Sequence, residues 1–293
     1  MRILSAFTNS LGGQDAYSLA ATLSDSLGWP MDLVTVVRGG PKHTMLEVSD
    51  HAFQDVVVKQ AEAWMEEAIA RQTPALPVSK HLLYHDSYPE GLIESAVELG
   101  AGLLVAGGGR HGVMGRVSLG SVGLTLLNSA PVPVALAPRG TRHNPARAIS
   151  RITVMLGESG DWKGLLATAR TFAQQAGVPL RLVTVVTDED QEDAAVLERT
   201  EGWLDEVRMD VSGLEDRHVK IVRSASMSAA VVSMKWRKHE LALLGSARLA
   251  QRGRLLLGAN ANKIMRSLPV PLVAVPAGHM SAGPQGHGRG DEP

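Results

Sequence analysis

The sequence predicts two tandem Rossmann-like α/β domains, each a doubly wound, five-stranded parallel sheet with helices on both faces. Three observations carry this: an internal repeat, alternation of β-branched apolar runs with amphipathic stretches, and a length of 293 residues, about twice an ordinary domain. Gly28 to Val37 (GWPMDLVTVV) is answered 149 residues on by Gly177 to Val186 (GVPLRLVTVV). Gly107, Gly120 and the PVPV run at Pro131–Val134 return 138 residues on as Gly245, Gly258 and PVPL at Pro269–Leu272. Matching blocks in the same order read as a tandem duplication whose second copy is 11 residues shorter between the blocks.

The elements follow in order. Ile3 to Phe7 is an apolar run suited to a first strand, and Asp15 to Leu27 carries a helical period stopped by Gly28, the residue type that takes left-handed backbone after a helix. Leu33 to Val37 is a β-branched strand, which completes a βαβ unit. Ala52 to Arg71 is amphipathic, and His81 to Tyr84 is a strand. Ser87-Tyr88-Pro89-Glu90 is a capping-box pattern opening a helix that Gly100 stops. Leu103–Ala106 and Val132–Ala137 are strands around a short helix from Ser121 to Asn128. The second copy places strands near 152–156, 182–186, 219–222, 241–244 and 272–275. Their continuous apolar character is that of parallel strands covered on both faces.

Arg139 to Pro145 is polar, carries turn residues and lacks periodicity. The expected boundaries are therefore a first domain at 1–140, a linker at 141–150 and a second domain at 151–277. Residues 278–293 hold almost nothing to bury, and a disordered tail is expected there.

Composition excludes several classes. With 29 Lys and Arg against 30 Asp and Glu, the chain has no global electrostatic footprint for nucleic acid. The absence of Cys excludes disulfides, Cys-ligated metals and thiol catalysis, and fits a reducing compartment. No run approaches the roughly 18 apolar residues of a membrane helix, and Met1 to Leu4 meets a polar turn too soon for a signal peptide. A cytoplasmic protein without membrane contact is expected.

Chemistry is expected at the carboxyl ends of the strands, where an open parallel sheet binds its ligands. There Ala106 leads into Gly107-Gly108-Gly109-Arg110-His111-Gly112, and Gly120-Ser121 opens the next helix. Such a loop lets backbone N–H groups reach phosphate oxygens, with Ser121 as a cap or a phosphate ligand. A purely structural reading needs glycine there only for positive φ. Charge favours an anion: the 59 residues between Glu98 and Glu158 contain no Asp or Glu, but hold Arg110, Arg116, Arg139, Arg142, Arg147 and Arg151.

Three motifs nearly match. Gly107-x-Gly109-x-x-Gly112 follows the fourth strand rather than the first and lacks an acid about 20 residues on, which argues against a dinucleotide. Gly115 to Ser121 is a P-loop pattern without its Lys. Leu11 to Ala16 is similar to the SGGxDS pyrophosphate loop of adenylating enzymes but lacks both serines. There is no HExxH, no GxSxG and no carboxylate pair, so neither a catalytic residue nor a metal site is assigned. His81 and His85 lie about 13 Å apart along a strand and read as surface or internally satisfied. Trp64, Trp162, Trp203 and Trp236 read as packing residues on helices.

The glycine loop resembles that of the universal stress protein family, in which the last βα turn carries Gly-x-x-Gly, nine residues, then Gly-Ser or Gly-Thr, a short helix and a PVPV strand. The matching positions are Gly107, Arg110, Gly120 and Ser121 in copy one, and Gly245, Arg248, Gly258 and Ala259 in copy two. Arg110 and Arg248 replace the second Gly, and Ala259 removes the hydroxyl. The Asp that ends the first strand of ATP-binding members is missing from Phe7-Thr8-Asn9-Ser10 and from Leu156-Gly157-Glu158-Ser159.

The resemblance implies a phosphate and ribose site formed by Ala106, Gly107, Gly109, Arg110, Gly120, Ser121 and Val122. It implies an adenine nucleotide, ATP with Mg, bound weakly in copy one, a regulatory protein partner, and no dedicated catalysis. Copy two is expected to be degenerate and to pair with copy one through the fifth strands, as an intramolecular pseudo-dimer with room for a homodimer. The alternatives are a nucleotide-free interaction module of the same fold, and an adenylating enzyme using Gly12-Gly13.

Overall fold

A computed structural model of the chain describes residues 1–38, 44–47, 56–109, 114–118, 120–157, 162–188, 194–210, 219–245 and 259–277. The first half runs β1 (Arg2–Ala6), α1 (Leu11–Leu27), β2 (Met31–Val37), β3 (Thr44–Glu47), α2 (Val56–Arg71), β4 (Val78–Tyr84), α3 (Tyr88–Glu98), β5 (Ala101–Gly107), α4 (Ser121–Ser129) and β6 (Val134–Ala137). A single 3₁₀ turn at Thr141–His143 lies in the connection. The second half runs β7 (Arg151–Leu156), α5 (Trp162–Ala176), β8 (Leu180–Thr187), α6 (Ala194–Asp210), β9 (Val219–Ser224), α7 (Met227–Ser233), β10 (Glu240–Gly245), α8 (Ala259–Ser267) and β11 (Leu272–Val275).

All strands join one sheet in the order β3-β4-β2-β1-β5-β6-β11-β10-β7-β8-β9. Within each half the neighbours are parallel in the doubly wound order, and the halves meet where β6 pairs antiparallel with β11, Ala135 opposite Val273. Edge strand β3, also antiparallel, is an addition to the five strands expected of the first copy. Each face of the sheet carries a main apolar core that runs through both halves, and a small third cluster of Val58, Ala61, Leu82 and Tyr84 lies under α2. One, under α1, α2, α5 and α6, includes Phe7, Leu23, Leu241 and Val273; there Trp29 of the first half meets Phe172 of the second edge to face at 5.5 Å. The other, under α3, α4, α7 and α8, includes Leu4, Leu104, Leu136 and Leu272.

Local chemistry explains the element ends. Gly28 and Gly177 have φ of 68° and 63°, the left-handed geometry that ends a helix at the repeated position. Between β1 and β5 the register slips by one residue at Gly102, because Ile3 faces Leu103 while Arg2 faces Ala101. A Cβ at Gly102 would sit 3.2 Å from the Trp29 ring. That bulge has no counterpart where β10 meets β7.

Several expectations are corrected. The Ser87 side chain does not cap α3; its backbone N–H donates to His85 Nδ1 at 2.9 Å instead. Ser121 is the first residue of α4, and Gly120 is the cap. Trp64 is exposed, and Trp236 lies in the loop between α7 and β10, against the Arg181 guanidinium, rather than in a helix. The expected tail at 278–293 lies outside the described residues.

Candidate functional site

A cleft of about 730 Å³ opens at the carboxyl ends of β1 and β5. This is the point where successive connections leave in opposite directions, the place at which doubly wound sheets hold ligands. Three backbone segments build it: the end of β1 with the first turn of α1, the loop after β5, and the first turn of α4. Of the residues singled out from sequence, Ala106, Gly107, Gly109, Gly120, Ser121 and Val122 all line this one cleft. Arg110 lies outside the described residues, as do Gly112, Arg248 and Gly258.

The glycines are needed for a reason other than the one expected. None of Gly107, Gly108, Gly109 and Gly120 has positive φ. A Cβ on Gly107 would fall 2.0 Å from the Gly12 carbonyl oxygen, and one on Gly13 would fall 2.1 Å from that of Thr8. These contacts are backbone to backbone, so the glycines let the first turn of α1 lie directly on the ends of β1 and β5. The Gly12-Gly13 pair, which resembled a pyrophosphate loop, is thus helix packed on strand. Ser10 caps that helix, its Oγ accepting from Gly13 N at 3.2 Å and lying 2.8 Å from Thr8 Oγ1.

The donors are unequally available. Gly109 N–H donates to the Ser118 carbonyl at 2.8 Å and closes its own loop. Helix α4 starts at a cap with no side chain, and among the described residues no side-chain acceptor covers the N–H groups of its first turn. Those groups, the helix dipole and the Ser121 hydroxyl form an anion-receptive end. Tyr88 adds an aromatic wall, its hydroxyl donating to Phe7 O at 3.4 Å. Burial pushes that hydroxyl above its ordinary pKa, so it stays a donor.

Asp15 is the carboxylate among the lining residues, and it is already engaged. It accepts from the backbone N–H groups of Gly140 and Arg142, each at 2.9 Å, and pairs with the Arg142 guanidinium. The connection between the halves is therefore fastened to α1. Further along the helix, Thr22 Oγ1 donates to Ala146 O at 2.8 Å, and Ser26 Oγ accepts from Ile149 N at 3.0 Å. Among the described residues no three His, Cys, Asp or Glu side chains form a metal-holding cluster.

Thr8, Ser10, Tyr88, Asp15 and Arg139 also line the cleft, though none was among the expected phosphate and ribose residues. The rule that pointed to the end of β5 applies equally to the end of β1, and Arg139 stood in the acid-free interval. His81 and His85 are satisfied internally, His81 Nε2 by Asp32 at 3.0 Å and His85 Nδ1 by Ser87.

The fold and the cleft define a tandem doubly wound α/β protein with a ligand-sized opening at the switch point of its first half. Residues 1–138 match the Universal stress protein family. Universal stress proteins of Mycobacterium tuberculosis and Mycobacterium bovis are each 26% identical over 292 residues, covering 94% of this chain and all of theirs. The crystal structure of a universal stress protein from Archaeoglobus fulgidus superposes with a TM-score of 0.64 at 17% identity, over 94% of this chain and 98% of that one. Residues 1–138 thus carry a universal stress protein domain, and the chain as a whole is similar to universal stress proteins over nearly its full length. No helix among the described residues is long and apolar enough to cross a membrane.

Proposed function

We propose that this chain is a stress-response regulatory module that binds an adenine nucleotide, ATP with Mg, in the cleft of its first half and changes its contacts with a protein partner on occupancy, without dedicated catalysis. The observation that carries this reading is the start of α4: an uncapped helix N-terminus with Gly120 and Ser121, facing a cleft of nucleotide size. The triphosphate would lie against the first turn of α4, and the base against Tyr88 and Val122. Since Asp15 is engaged, Mg would be held by phosphate oxygens and water, a coordination this ion commonly keeps. The second half is the degenerate copy, and a cytoplasmic location goes with this role.

A second reading, a nucleotide-free interaction module, draws on Thr8. It stands where ATP-binding relatives place an Asp, and its hydroxyl is tied to Ser10. Isothermal titration with Mg-ATP at moderate salt separates the two. About one site per chain, lost in Ser121→Trp, is expected, since an indole there fills the phosphate end. No heat up to millimolar ATP at two temperatures leaves the interaction module. Pyrophosphate release from ATP would instead revive the adenylating enzyme.

A further inference from the structure

A second cavity, of about 470 Å³, lies on the seam between the halves and plays no part in the function proposed above. Its floor is apolar, with Leu19, Ile149, Pro138 and Val270. Its rim is basic: Arg237 and Lys238 from the turn before β10 and Arg139 from the connection, beside the imidazole N–H donors of His239 and His143. Glu240 is the acid among the lining residues. It is fully buried and already takes Arg151 at 2.6 Å and Arg181 at 2.9 Å. The side chains of Arg237, Lys238 and His239 have no acidic partner among the described residues.

We propose that this seam cavity binds a small organic anion with an apolar body, the charged group held by Arg237, Lys238 and His239 and the body resting on Leu19, Ile149 and Val270. Pockets of this volume at domain junctions, apolar with a few convergent polar groups, are of the kind that take small molecules. The backbone supplies an independent observation. His239 has φ of 61°, the one positive value among described residues other than glycine. The corresponding turn of the first half, also just before its strand, has Gly100 at φ 62°. The second half thus keeps a left-handed backbone that L side chains rarely adopt while replacing glycine with an imidazole at the cavity rim. The first-half turn reads Glu98-Leu99-Gly100, one acid and no cation, against Arg237-Lys238-His239.

The test is a fluorescence titration of the whole chain with 8-anilinonaphthalene-1-sulfonate, an apolar body bearing one anion, alongside neutral N-phenyl-1-naphthylamine. Saturation near one dye per chain is expected. The double variant Arg237→Gln/Lys238→Gln, at exposed side chains, weakens the sulfonate by about fivefold or more and leaves the neutral analogue unchanged. His239→Gly weakens it too, without lowering the urea midpoint, because glycine takes this backbone freely. A purely structural role for His239 would not combine those two results. Ser121→Trp, which fills the other cleft, leaves dye binding unchanged whether or not ATP binds there. Equal dye affinity in the double variant, loss of binding in Ser121→Trp, or no saturation would each overturn the proposal.

Discussion

The two halves bury charge at the same edge of the sheet with different residues. In the first, Asp32 on β2 is fully buried and holds the Arg2 guanidinium with two 2.6 Å bonds and His81 with one. In the second, Arg151 and Arg181 stand at the repeat positions of Arg2 and Asp32, and the acid moves to Glu240 on β10. Glu240 also accepts from Thr153 Oγ1 and from the backbone N–H of Arg237. An acid on either neighbour of the central strand can neutralise the same arginine, so both halves keep a buried acid on that arginine while placing it on opposite neighbours.

The carboxyl edges differ in the same spirit. Gly13 lets helix α1 lie on β1 beside an open cleft, whereas its repeat position carries Trp162, packed edge to face on Trp203 at 6.4 Å. Asp15, which fastens the connection, corresponds to Gly164. Among the described residues, the clamp on the connection belongs to the first half, while the second carries an indole at the position of Gly13.

The two halves differ most at a pair of matched glycines, Gly107 and Gly245. Gly107→Ala drives a Cβ onto the Gly12 backbone and is expected to cost about 3 kcal/mol or more. Gly245→Ala meets only the Leu165 side chain at 3.3 Å, and is expected to cost under about 1.5 kcal/mol. Urea midpoints read the difference, and equal losses would show that the halves pack their first helices alike.

Next come the buried acids. Glu240→Gln leaves the buried Arg181 and the mostly buried Arg151 without their acid and is expected to cost about 3–5 kcal/mol. Asp32→Asn should cost less, about 1–3 kcal/mol, because the Arg2 side chain is 38% exposed and can turn to water. Equilibrium denaturation of both variants orders them.

Asp15→Ala removes the clamp, at about 1–2 kcal/mol. Limited proteolysis should then cut within residues 138–150 faster than in the parent chain. An unchanged rate would mean that Thr22 and Ser26 hold the connection unaided.

The pH dependence is smaller and falls in two windows. Burial alone would raise the Asp32 carboxyl, but hydrogen bonds and charge from Arg2 and His81 hold it below its ordinary value. The unfolded chain therefore takes that proton first. The contribution is full above about pH 4 and is lost as pH falls through the lower folded value. His239 is also depressed, by burial and then by Lys238. Its contribution has the same sign in a higher window, full above about pH 6.5 and lost on acidification. Stability profiles of Asp32→Asn and His239→Gly should each flatten in one window only.

Much of this was legible from local signals. Helix-ending glycines at 28, 100 and 177, continuous β-branched strands and the alternation of elements depend on neighbours a few residues away, and a repeat makes each such signal appear twice. The cleft was half legible. The rule for strand ends located Gly107 to Val122, but nothing in the order of residues said that Gly107 faces Gly12 rather than a ligand.

The duplicated doubly wound plan, its helix stops and the neighbourhood of the first-half cleft are therefore written in the order of residues. Packing of the whole sheet sets which groups meet across long separations: Asp15 with Gly140, 125 residues apart, Arg181 with Glu240, 59 apart, and β6 against β11. Periodicity reports which face of an element is buried. The pairing of buried charges and edge strands depends instead on which elements the completed sheet brings into contact, because an unpaired buried charge or strand edge is too costly to leave.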